Sequence, residues 1–412
     1  MTMIKQPLAQ KYPVLPPWVR SRVGLGLTAA AARGEFELQH CDDCGAVQYP
    51  PREMCGGCLS CSLTWRAVDG EGQLLSQTIL RHSHDPYFNS KVPWRIGLVQ
   101  LNQGPTVVVH LHEGVPAAPT EVNVSARLDR AGRGVLVATP HSKVVNMSDD
   151  KQLCVMTCDP RDRKILITDA QSAVGQAMVQ AVHQAGAKVI WAGVSESRSD
   201  DWRQDPQYSA FAELETVQLV TLDVTDLESI ETQAAAFGSE VDILVNTAEV
   251  NAGHNISSSL NSHSAEAEMQ TNYLGLLWLA QAFGPAMRLS GTSGRGKATA
   301  WVNLLSVYAL SNFPAQGTYS ASQAAAFSLS QCLRAEFQAD AIRVLHVFSG
   351  PIDNAANQSA PSPKQSPVKL AREVVGALKD GVEDLYSGDV AQEVYSRFRE
   401  DPKVLEKELV DV

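Results

Sequence analysis

The sequence predicts a multidomain protein in which a small metal-bound ribbon and a β-barrel precede a larger α/β domain with a parallel sheet. Its 412 residues exceed what one hydrophobic core usually supports. Five of its eight cysteines fall between Cys41 and Cys61, which indicates a metal site. From about residue 163 onward, short apolar runs alternate with helical stretches, as in a doubly wound sheet with crossover helices.

Four of these cysteines follow the spacing C-x2-C-x10-C-x2-C. Two such knuckles can close a tetrahedron around a soft divalent ion, and zinc suits four thiolates best, with iron as a chemical alternative. Four sulfurs leave no open position, so zinc here would be structural and not catalytic. The predicted ligands are Cys41, Cys44, Cys55 and Cys58, and Cys61 is a spare thiol that could replace Cys58. Reduced thiols without metal are the alternative interpretation of the cluster.

Several short runs typical of β-strands follow the cysteine cluster, with Gly and Pro between them. They include Gln73–Leu80, Ile96–Leu101 and Thr106–Leu111. About five strands over this length predict a small barrel. The predicted boundaries are a first domain over 1–145, with its ribbon at about 38–64 and its barrel at about 65–145, a polar linker over 146–162 and a second domain over 163–412.

Short motifs in the first third carry a family resemblance. They are Cys41-x2-Cys44-Gly45, Tyr49-Pro50-Pro51-Arg52, Cys55-x2-Cys58 and Gly70-x-Gly72. With them, the stretch from about 15 to 145 resembles the zinc-ribbon plus OB-fold family that accompanies thiolases. That resemblance implies a rubredoxin-like zinc ribbon, an OB-type barrel, acyl-CoA or CoA as a ligand, and a thiolase-like or aldolase-like protein as partner. Members of that family usually lack chemistry of their own.

Residues of the second domain match, position by position, the motifs of another family. A first turn keeps Thr168 and Gly175, later strands carry Asp223 and Asn246, and Asn272, Ser306 and Tyr319 follow. From about residue 163 to the end, the chain resembles the short-chain dehydrogenase/reductase superfamily. The resemblance implies a Rossmann-type doubly wound sheet. It also implies cofactor-binding roles for Thr168, Gly175, Asp223 and Asn246, and catalytic roles for Asn272, Ser306 and Tyr319.

The same comparison shows departures at positions that the chemistry needs. Gln323 stands where the family has its catalytic lysine, Asp169 and Ala173 replace two glycines of the first turn, and Glu249 replaces another glycine. An acid that faced the cofactor phosphates at about 6 Å would repel each charge by roughly 3 kcal/mol at an effective dielectric of ~20. We therefore expect NAD(P) not to bind.

The loss of the lysine also removes the positive charge that lowers the tyrosine pKa in this family. With a neutral Gln323, Tyr319 is expected to keep a pKa near ~10, too high for efficient proton transfer at neutral pH. Ser306, Tyr319 and Asn272 can persist as partners in buried hydrogen bonds instead. The sequence thus favours a degenerate dehydrogenase fold, a pseudoenzyme, over a working one.

Three functions fit these observations. The preferred one is a non-catalytic accessory subunit that binds zinc and helps a thiolase-like or aldolase-like partner bind acyl-CoA. The first alternative is an NAD(P)-dependent 3-hydroxyacyl-CoA dehydrogenase with an atypical active site. The second is a CoA-binding module that acts without a partner.

Charge and hydropathy limit the partners. Residues 1–145 carry 14 Lys and Arg against 11 Asp and Glu, a formal +3, whereas residues 146–412 carry 20 against 34, a formal −14. The acidic second part disfavours nucleic acid and anionic membranes. No apolar run approaches the ~20 residues of a membrane span, and the first residues lack a secretion signal, which predicts a cytoplasmic protein.

Two predicted helices, about Ala265–Arg288 and Tyr319–Phe337, correspond to the pair through which members of the dehydrogenase superfamily associate. The first is apolar on nearly all sides, as a helix covered on both sides would be. A helix buried within the monomer explains the pattern almost as well. We expect a homo- or hetero-oligomer, with an intact short-chain dehydrogenase as a further candidate partner.

Overall fold

A computed structural model of the protein describes residues 13–17, 21–142, 144–195, 211, 213–257, 262–290, 299–354, 357 and 363–410. The chain divides into two compact units, Met1–Met156 and Thr157–Val412. Among the helices of these described ranges, none combines the length and the apolar character that crossing a bilayer requires.

The first unit begins with helix α1 (Leu25–Ala32) and a ribbon of three short antiparallel strands. The strands are β1 (Glu37–Cys41), β2 (Val47–Gln48) and β3 (Leu63–Ala67), and β1 lies between the other two. Most of α1 is alanine and leucine, and its buried residues pack against the core of the barrel that follows.

The barrel of the first unit has five strands. They are β4 (Glu71–Leu80), β5 (Trp94–Leu101), β6 (Thr106–Leu111), β7 (Thr120–Leu128) and β8 (Gly134–Pro140), with the short helix α2 (Pro86–Asn89) between β4 and β5. The barrel closes in the order β4-β5-β6-β8-β7. Alternate residues of β7 point inward, so that Val122, Val124, Ala126 and Leu128 are buried. The predicted ribbon and OB-type barrel are confirmed.

The stretch 146–162, predicted as a polar linker, has buried residues in each of the two units that it joins along the chain. Met147, Leu153 and Met156 are buried in a cluster with Trp94 and Val137 on the barrel. Beyond the boundary, Cys158 belongs to the core of the second unit, where its N–H donates to Leu378 O at 2.8 Å. The acidic residues dominate the sequence pattern here, but the apolar ones between them decide the packing.

The second unit is built on a parallel sheet of seven strands. They are β9 (Lys164–Ile167), β10 (Val189–Val194), β11 (Val217–Thr221), β12 (Ile243–Asn246), β13 (Ala300–Ser306), β14 (Arg343–Ser349) and β15 (Asp384–Ser387). Their order is β11-β10-β9-β12-β13-β14-β15. The order reverses between β9 and β12, and such a switch point is where open α/β sheets bind ligands. This is the predicted Rossmann-type doubly wound sheet, and the prediction is confirmed.

Helices cover both faces of this sheet. Within the described residues they are α3 (Ala173–Gln184), α4 (Leu227–Phe237), α5 (His263–Glu268), α6 (Leu276–Ser290), α7 (Gly317–Phe337), α8 (Pro367–Asp380), α9 (Asp389–Glu400) and α10 (Pro402–Glu408). One core lies under α3 and α8, and the other lies under α4, α6 and α7.

The predicted helix Ala265–Arg288 is not one regular helix, because a π-helical segment, Met269–Gly275, separates α5 from α6. Leu279 and Phe283 of α6 are fully buried against the sheet, whereas Leu289 is 66% exposed. This helix is therefore covered on one side within the chain and open on the other. The second predicted helix, Tyr319–Phe337, corresponds to α7.

Candidate functional site

The four predicted zinc ligands lie together in the ribbon. The sulfur atoms of Cys41, Cys44, Cys55 and Cys58 all lie within 4.8 Å of one another. The Cys41–Cys58 sulfurs are 3.5 Å apart and the Cys44–Cys55 sulfurs 3.6 Å apart. Tetrahedral zinc with bonds of about 2.3 Å requires sulfurs about 3.8 Å apart, so this donor set fits zinc. Cys61 is exposed and does not belong to the group.

The turns around the cysteines favour the thiolate form at Cys55, whereas hydrogen bonds with Cys44 and Cys41 raise the pKa of Cys58 to about 12, although the Ser60 N–H opposes that shift. The backbone N–H groups of Cys58 and Gly57 lower the pKa of the Cys55 thiol to about 6. The Gly57 N–H donates to Cys55 Sγ at 3.3 Å. Gly45 has a φ of 72°, which suits a residue without a side chain. Among the described residues the group consists of these four sulfurs alone, and four thiolates make a structural site, in which zinc would close the ribbon.

In the second unit, the turn after β9 binds its own carboxylate. Asp169 is 7% exposed, and its Oδ1 accepts the backbone N–H groups of Gln171 at 3.0 Å and Ser172 at 3.2 Å. These N–H groups stand just before α3, and the N–H groups at a helix start are the ones that bind phosphate in dinucleotide folds. A side-chain anion therefore occupies donors at this turn.

Gly175 persists for a reason that does not involve a cofactor. A Cβ at this position would lie 1.7 Å from the carbonyl oxygen of Asp169. No side chain fits there, because α3 starts too close to the turn. The glycine therefore follows from the close approach of helix and strand and carries no information about nucleotide binding.

Thr168 and Asn246 connect the ends of β9 and β12. Thr168 Oγ1 donates to Asn246 Oδ1 at 2.8 Å and accepts the N–H of Thr247 at 3.1 Å. Both predicted cofactor residues are almost fully buried, Thr168 at 1% and Asn246 at 6% exposure. These hydrogen bonds link two neighbouring strands, so they account for Thr168 and Asn246 without a cofactor.

Asp223 lies beside a cleft at the same edge of the sheet. Its carboxylate accepts the N–H of Thr225 at 2.8 Å and the hydroxyl of Ser195 at 2.5 Å. The cleft has a volume of about 170 Å³. Its lining residues are Thr168, Asp169, Ser195, Leu222, Asp223, Val224, Thr225, Ala248, Val250 and Thr271.

Tyr319, the family's proton donor, is bound to an acid. Its hydroxyl donates to Glu249 Oε1 at 2.5 Å. Burial and the charge of Glu249 raise the pKa of Tyr319 well above its usual value, although Ser306 opposes the shift. The predicted ordinary pKa is therefore wrong. Burial also raises the pKa of Glu249, which the bond from Tyr319 partly offsets.

Gln323, at the lysine position, is only 2% exposed and faces the end of β13. Its Oε1 accepts the backbone N–H of Ser306 at 3.1 Å. The Ser306 hydroxyl accepts the N–H of Tyr308 at 3.2 Å and caps a short 3₁₀ turn. An ammonium group has no acceptor, so a lysine could not make this bond to Ser306.

Asn272 lies in the π-helical segment and holds the loop that carries Glu249. Its Oδ1 accepts the N–H of Val250 at 2.9 Å, and its Nδ2 donates to Val250 O at 2.8 Å and to Ser322 Oγ at 2.9 Å. The structure thus brings Ser306, Tyr319 and Gln323 together, and Asn272 contacts the same helix at Ser322. Sequence reasoning noticed Glu249 but missed its contact with Tyr319, since nothing in the local pattern relates two residues so far apart in the chain.

The fold and its two sites define the chain as a four-cysteine ribbon and a barrel followed by a unit with a Rossmann-type sheet. Comparison with protein families gives both parts a name. Residues 28–63 match the rubredoxin-like zinc ribbon domain of ChsH2, and residues 65–133 match the C-terminal OB-fold domain of ChsH2. Residues 163–365 match the short chain dehydrogenase family. The chain is a fusion of these domains, as the sequence motifs predicted.

Individual relatives match about half of this chain. An uncharacterized oxidoreductase of Staphylococcus aureus (strain N315) is 28% identical over 227 residues, which cover 53% of this chain and 91% of the relative. Dehydrogenase/reductase SDR family member 7B of Bos taurus is 26% identical over 252 residues, covering 56% of this chain and 74% of that protein.

Among solved structures, a short chain dehydrogenase from Burkholderia cenocepacia J2315, crystallised in complex with NADP, is 28% identical. It superposes with a TM-score of 0.53 and covers 61% of this chain and 98% of its own. A short-chain dehydrogenase from Streptomyces avermitilis, 22% identical with a TM-score of 0.50 and covering 60% of this chain and 97% of its own, shares the fold.

Proposed function

We propose that this protein is a non-catalytic accessory subunit. It binds zinc, helps a thiolase-like or aldolase-like partner bind acyl-CoA, and uses its dehydrogenase-like unit for oligomerisation. One observation carries the non-catalytic part: Gln323 stands at the lysine position and bonds the backbone of Ser306, while Glu249 holds the hydroxyl of Tyr319.

Proton transfer in this arrangement would be slow. A general acid–base group works best with a pKa near the working pH. Here the pKa of Tyr319 lies well above its usual value, because the phenol is buried and adjoins Glu249. The Tyr319 hydroxyl donates to Glu249, and no cation stands at position 323 to stabilise a phenolate.

Cofactor binding is opposed at a second place. The carboxylate of Asp169 occupies backbone donors before α3. A pyrophosphate at this turn would have to displace that carboxylate and lie beside its charge. We therefore propose that NAD(P) binds weakly or not at all, with zinc and acyl-CoA or CoA as the ligands of the chain.

The partner assignment follows from the first unit. ChsH2 ribbon and OB-fold domains suggest a partner-binding role in acyl-CoA metabolism. A closed four-thiolate site adds stability and no chemistry, which suits a docking unit. The open side of α6 would serve a homo- or hetero-oligomer, including a complex with an intact short-chain dehydrogenase. We propose a cytoplasmic protein that acts without nucleic acid or membrane.

A second candidate is an NAD(P)-dependent 3-hydroxyacyl-CoA dehydrogenase with an atypical site. It is favoured by the adjacency of Ser306 and Tyr319 and by the relative from Burkholderia cenocepacia that was crystallised with NADP. In that function Glu249 would have to take the proton that passes through Tyr319.

Titration with NADH and NADPH separates the two candidates. For the accessory subunit we expect no saturable binding up to ~1 mM, which corresponds to a binding free energy weaker than about −4 kcal/mol. The variant with Asp169→Gly, Glu249→Gly and Gln323→Lys together should bind more tightly than the parent. Micromolar binding by the parent chain, or its oxidation of a 3-hydroxyacyl-CoA, would overturn the proposal.

Co-purification from the native source tests the partner. The expected result is a thiolase-like or aldolase-like protein that remains bound through gel filtration and is lost when Cys44→Ser removes the zinc site. Retention of the partner after residues 1–156 are deleted would place the docking surface in the other unit and contradict this part of the proposal.

A further inference from the structure

The barrel unit contains a cavity to which no ligand has yet been assigned. Its volume is about 410 Å³, within the ~300–1,000 Å³ of small-molecule sites. It lies outside the cysteine ribbon, between α2, the starts of β5 and β8 and the stretch before residue 157. Its principal walls are Tyr87, Phe88, Trp94, His110, Val135 and Met156.

The walls are aromatic and mutually braced. Phe88 and Trp94 pack edge to face with ring centres 5.8 Å apart, and Trp94 and His110 do so at 5.4 Å. The indole N–H of Trp94 donates to His110 Nδ1 at 2.8 Å, so its polar atom is already satisfied. Tyr87 and Trp94 are 3% and 2% exposed. The cavity therefore has a preformed apolar surface that suits a ring or a hydrocarbon chain.

Cations adjoin one side of the cavity. Arg130 lines it, and the ammonium group of Lys91 lies 5.2 Å from the ring centre of Tyr87. Burial and the charge of Arg130 lower the pKa of Lys91, as expected when a second cation is close. Asp129 also lines the cavity, but its Oδ1 accepts the N–H groups of Ala131 at 2.8 Å and Arg133 at 3.0 Å. Arg130 and Lys91 thus bring positive charge to the cavity.

We propose that this cavity binds an apolar ring or chain that carries an anionic group at one end. The apolar part lies between the aromatic walls, and the anion lies near Lys91 and Arg130. This inference rests on the proposed function, which names acyl-CoA or CoA as a ligand, and deepens it by assigning the apolar part of the ligand to a cavity of the barrel unit.

Calorimetric titration of the full chain with decanoate, decanol, decanoyl-CoA and CoA tests the site. We expect decanoate to bind at one site per chain. Val135→Trp fills the cavity and should weaken decanoate at least tenfold, whereas Val108→Trp, on the same barrel at a 57% exposed position, should not. Arg130→Gln should weaken decanoate severalfold and leave decanol unchanged, with Arg81→Gln as the control for charge.

The probes distinguish two sources of the anion. Tighter binding of decanoyl-CoA than of decanoate, lost in Val135→Trp, would identify an acyl thioester as the ligand; the reverse order would identify a free carboxylate. If Val135→Trp does not fold, Val155→Trp at the same cavity replaces it. Equal decanoate affinity in the filled variants, or no binding of decanoate and decanoyl-CoA, would overturn the inference. If the chain binds decanoate but also shows NAD(P)-dependent dehydrogenase activity, the non-catalytic function would be wrong and the cavity site would stand.

Discussion

Gln323 shows how one side chain can redirect a site. A lysine at this position would offer donors only, whereas the amide of glutamine also accepts. Its Oε1 takes the N–H of Ser306 at the end of β13, a group that is buried and needs a partner. The substitution has therefore become part of the fold, and reversing it would leave a backbone donor unpaired.

Gln323→Lys tests this dependence. We expect a loss of about 1–3 kcal/mol of unfolding free energy in the second unit, since a buried N–H loses its acceptor. We expect no dehydrogenase activity, since Asp169 and Glu249 remain. Gln331→Lys on the exposed side of the same helix is the control and should be neutral. Denaturant unfolding and an NAD(P)H absorbance assay measure the two effects, and clear turnover by the single variant would refute the account of the cofactor turn.

Glu249 should make the stability of the second unit depend on pH. Burial raises its pKa above the ordinary 4.5, so the folded state holds the proton more tightly than the unfolded chain. The stability from this group is complete below pH 4.5 and is lost as the pH rises through the raised pKa. The Glu249→Gln variant has no carboxyl group to ionise, so it should not lose stability as the pH rises, and its amide oxygen can still accept the hydroxyl of Tyr319.

Thermal unfolding from pH 5 to 8 provides the measurement. Glu249→Gln should unfold at a higher temperature than the parent near pH 8, and the difference should shrink toward pH 5. Glu336→Gln, an exposed residue of α7, is the matched control and should keep the parental slope. An unchanged slope in Glu249→Gln would mean that the acid is already solvated.

At the scale of elements, the turn from β9 to α3 decides the nucleotide site. It keeps the shape of a dinucleotide turn while its donors are taken by Asp169. The π-helical segment before α6 also serves the internal structure, because it places Asn272 where its side chain bonds the backbone of Val250. The turn and the π-helical segment both have geometry that is typical of functional sites, but here their polar groups form hydrogen bonds within the protein.

Paired glycine substitutions test how tightly this turn is packed. Gly175→Ala should destabilise the second unit by at least about 1–3 kcal/mol, because its Cβ would meet Asp169 O at 1.7 Å. Gly376→Ala in α8 meets nothing within 4 Å and should stabilise it by roughly 0.5–1 kcal/mol. Chemical denaturation of both variants gives the comparison. If the Gly175→Ala and Gly376→Ala variants had equal unfolding free energies, the backbone of the turn would have to move enough to admit the added Cβ.

At the scale of the whole molecule, each unit has a core of its own. The barrel core and the two cores of the parallel sheet share no residue, and the division falls between Met156 and Thr157. Zinc supplies folding free energy only to the unit that contains its thiolates. Loss of the metal should therefore affect the units unequally.

Cys44→Ser should abolish zinc binding and destabilise the first unit while the second stays folded. Calorimetry should show one transition lost or shifted down and the other unchanged, and metal analysis should fall from one zinc per chain to nearly none. Cys61→Ser lies outside the four-sulfur group and should keep its zinc. Joint loss of both transitions would contradict the independence of the units, and zinc loss in Cys61→Ser would make Cys61 a ligand.

By itself, the sequence determined the architecture and the metal cluster. Cysteine spacing, strand and helix periodicity, and turn motifs are local signals, and local signals carry fold class well. The tertiary structure alone decided the partners of the altered residues, Glu249 with Tyr319 and Gln323 with Ser306. It also decided the burial of Met147, Leu153 and Met156 within the first unit and of Cys158 within the second. The cavity beside Trp94 is likewise formed only by the folded chain. Such contacts join residues distant in the chain, and their energies depend on burial and orientation, which no local pattern encodes.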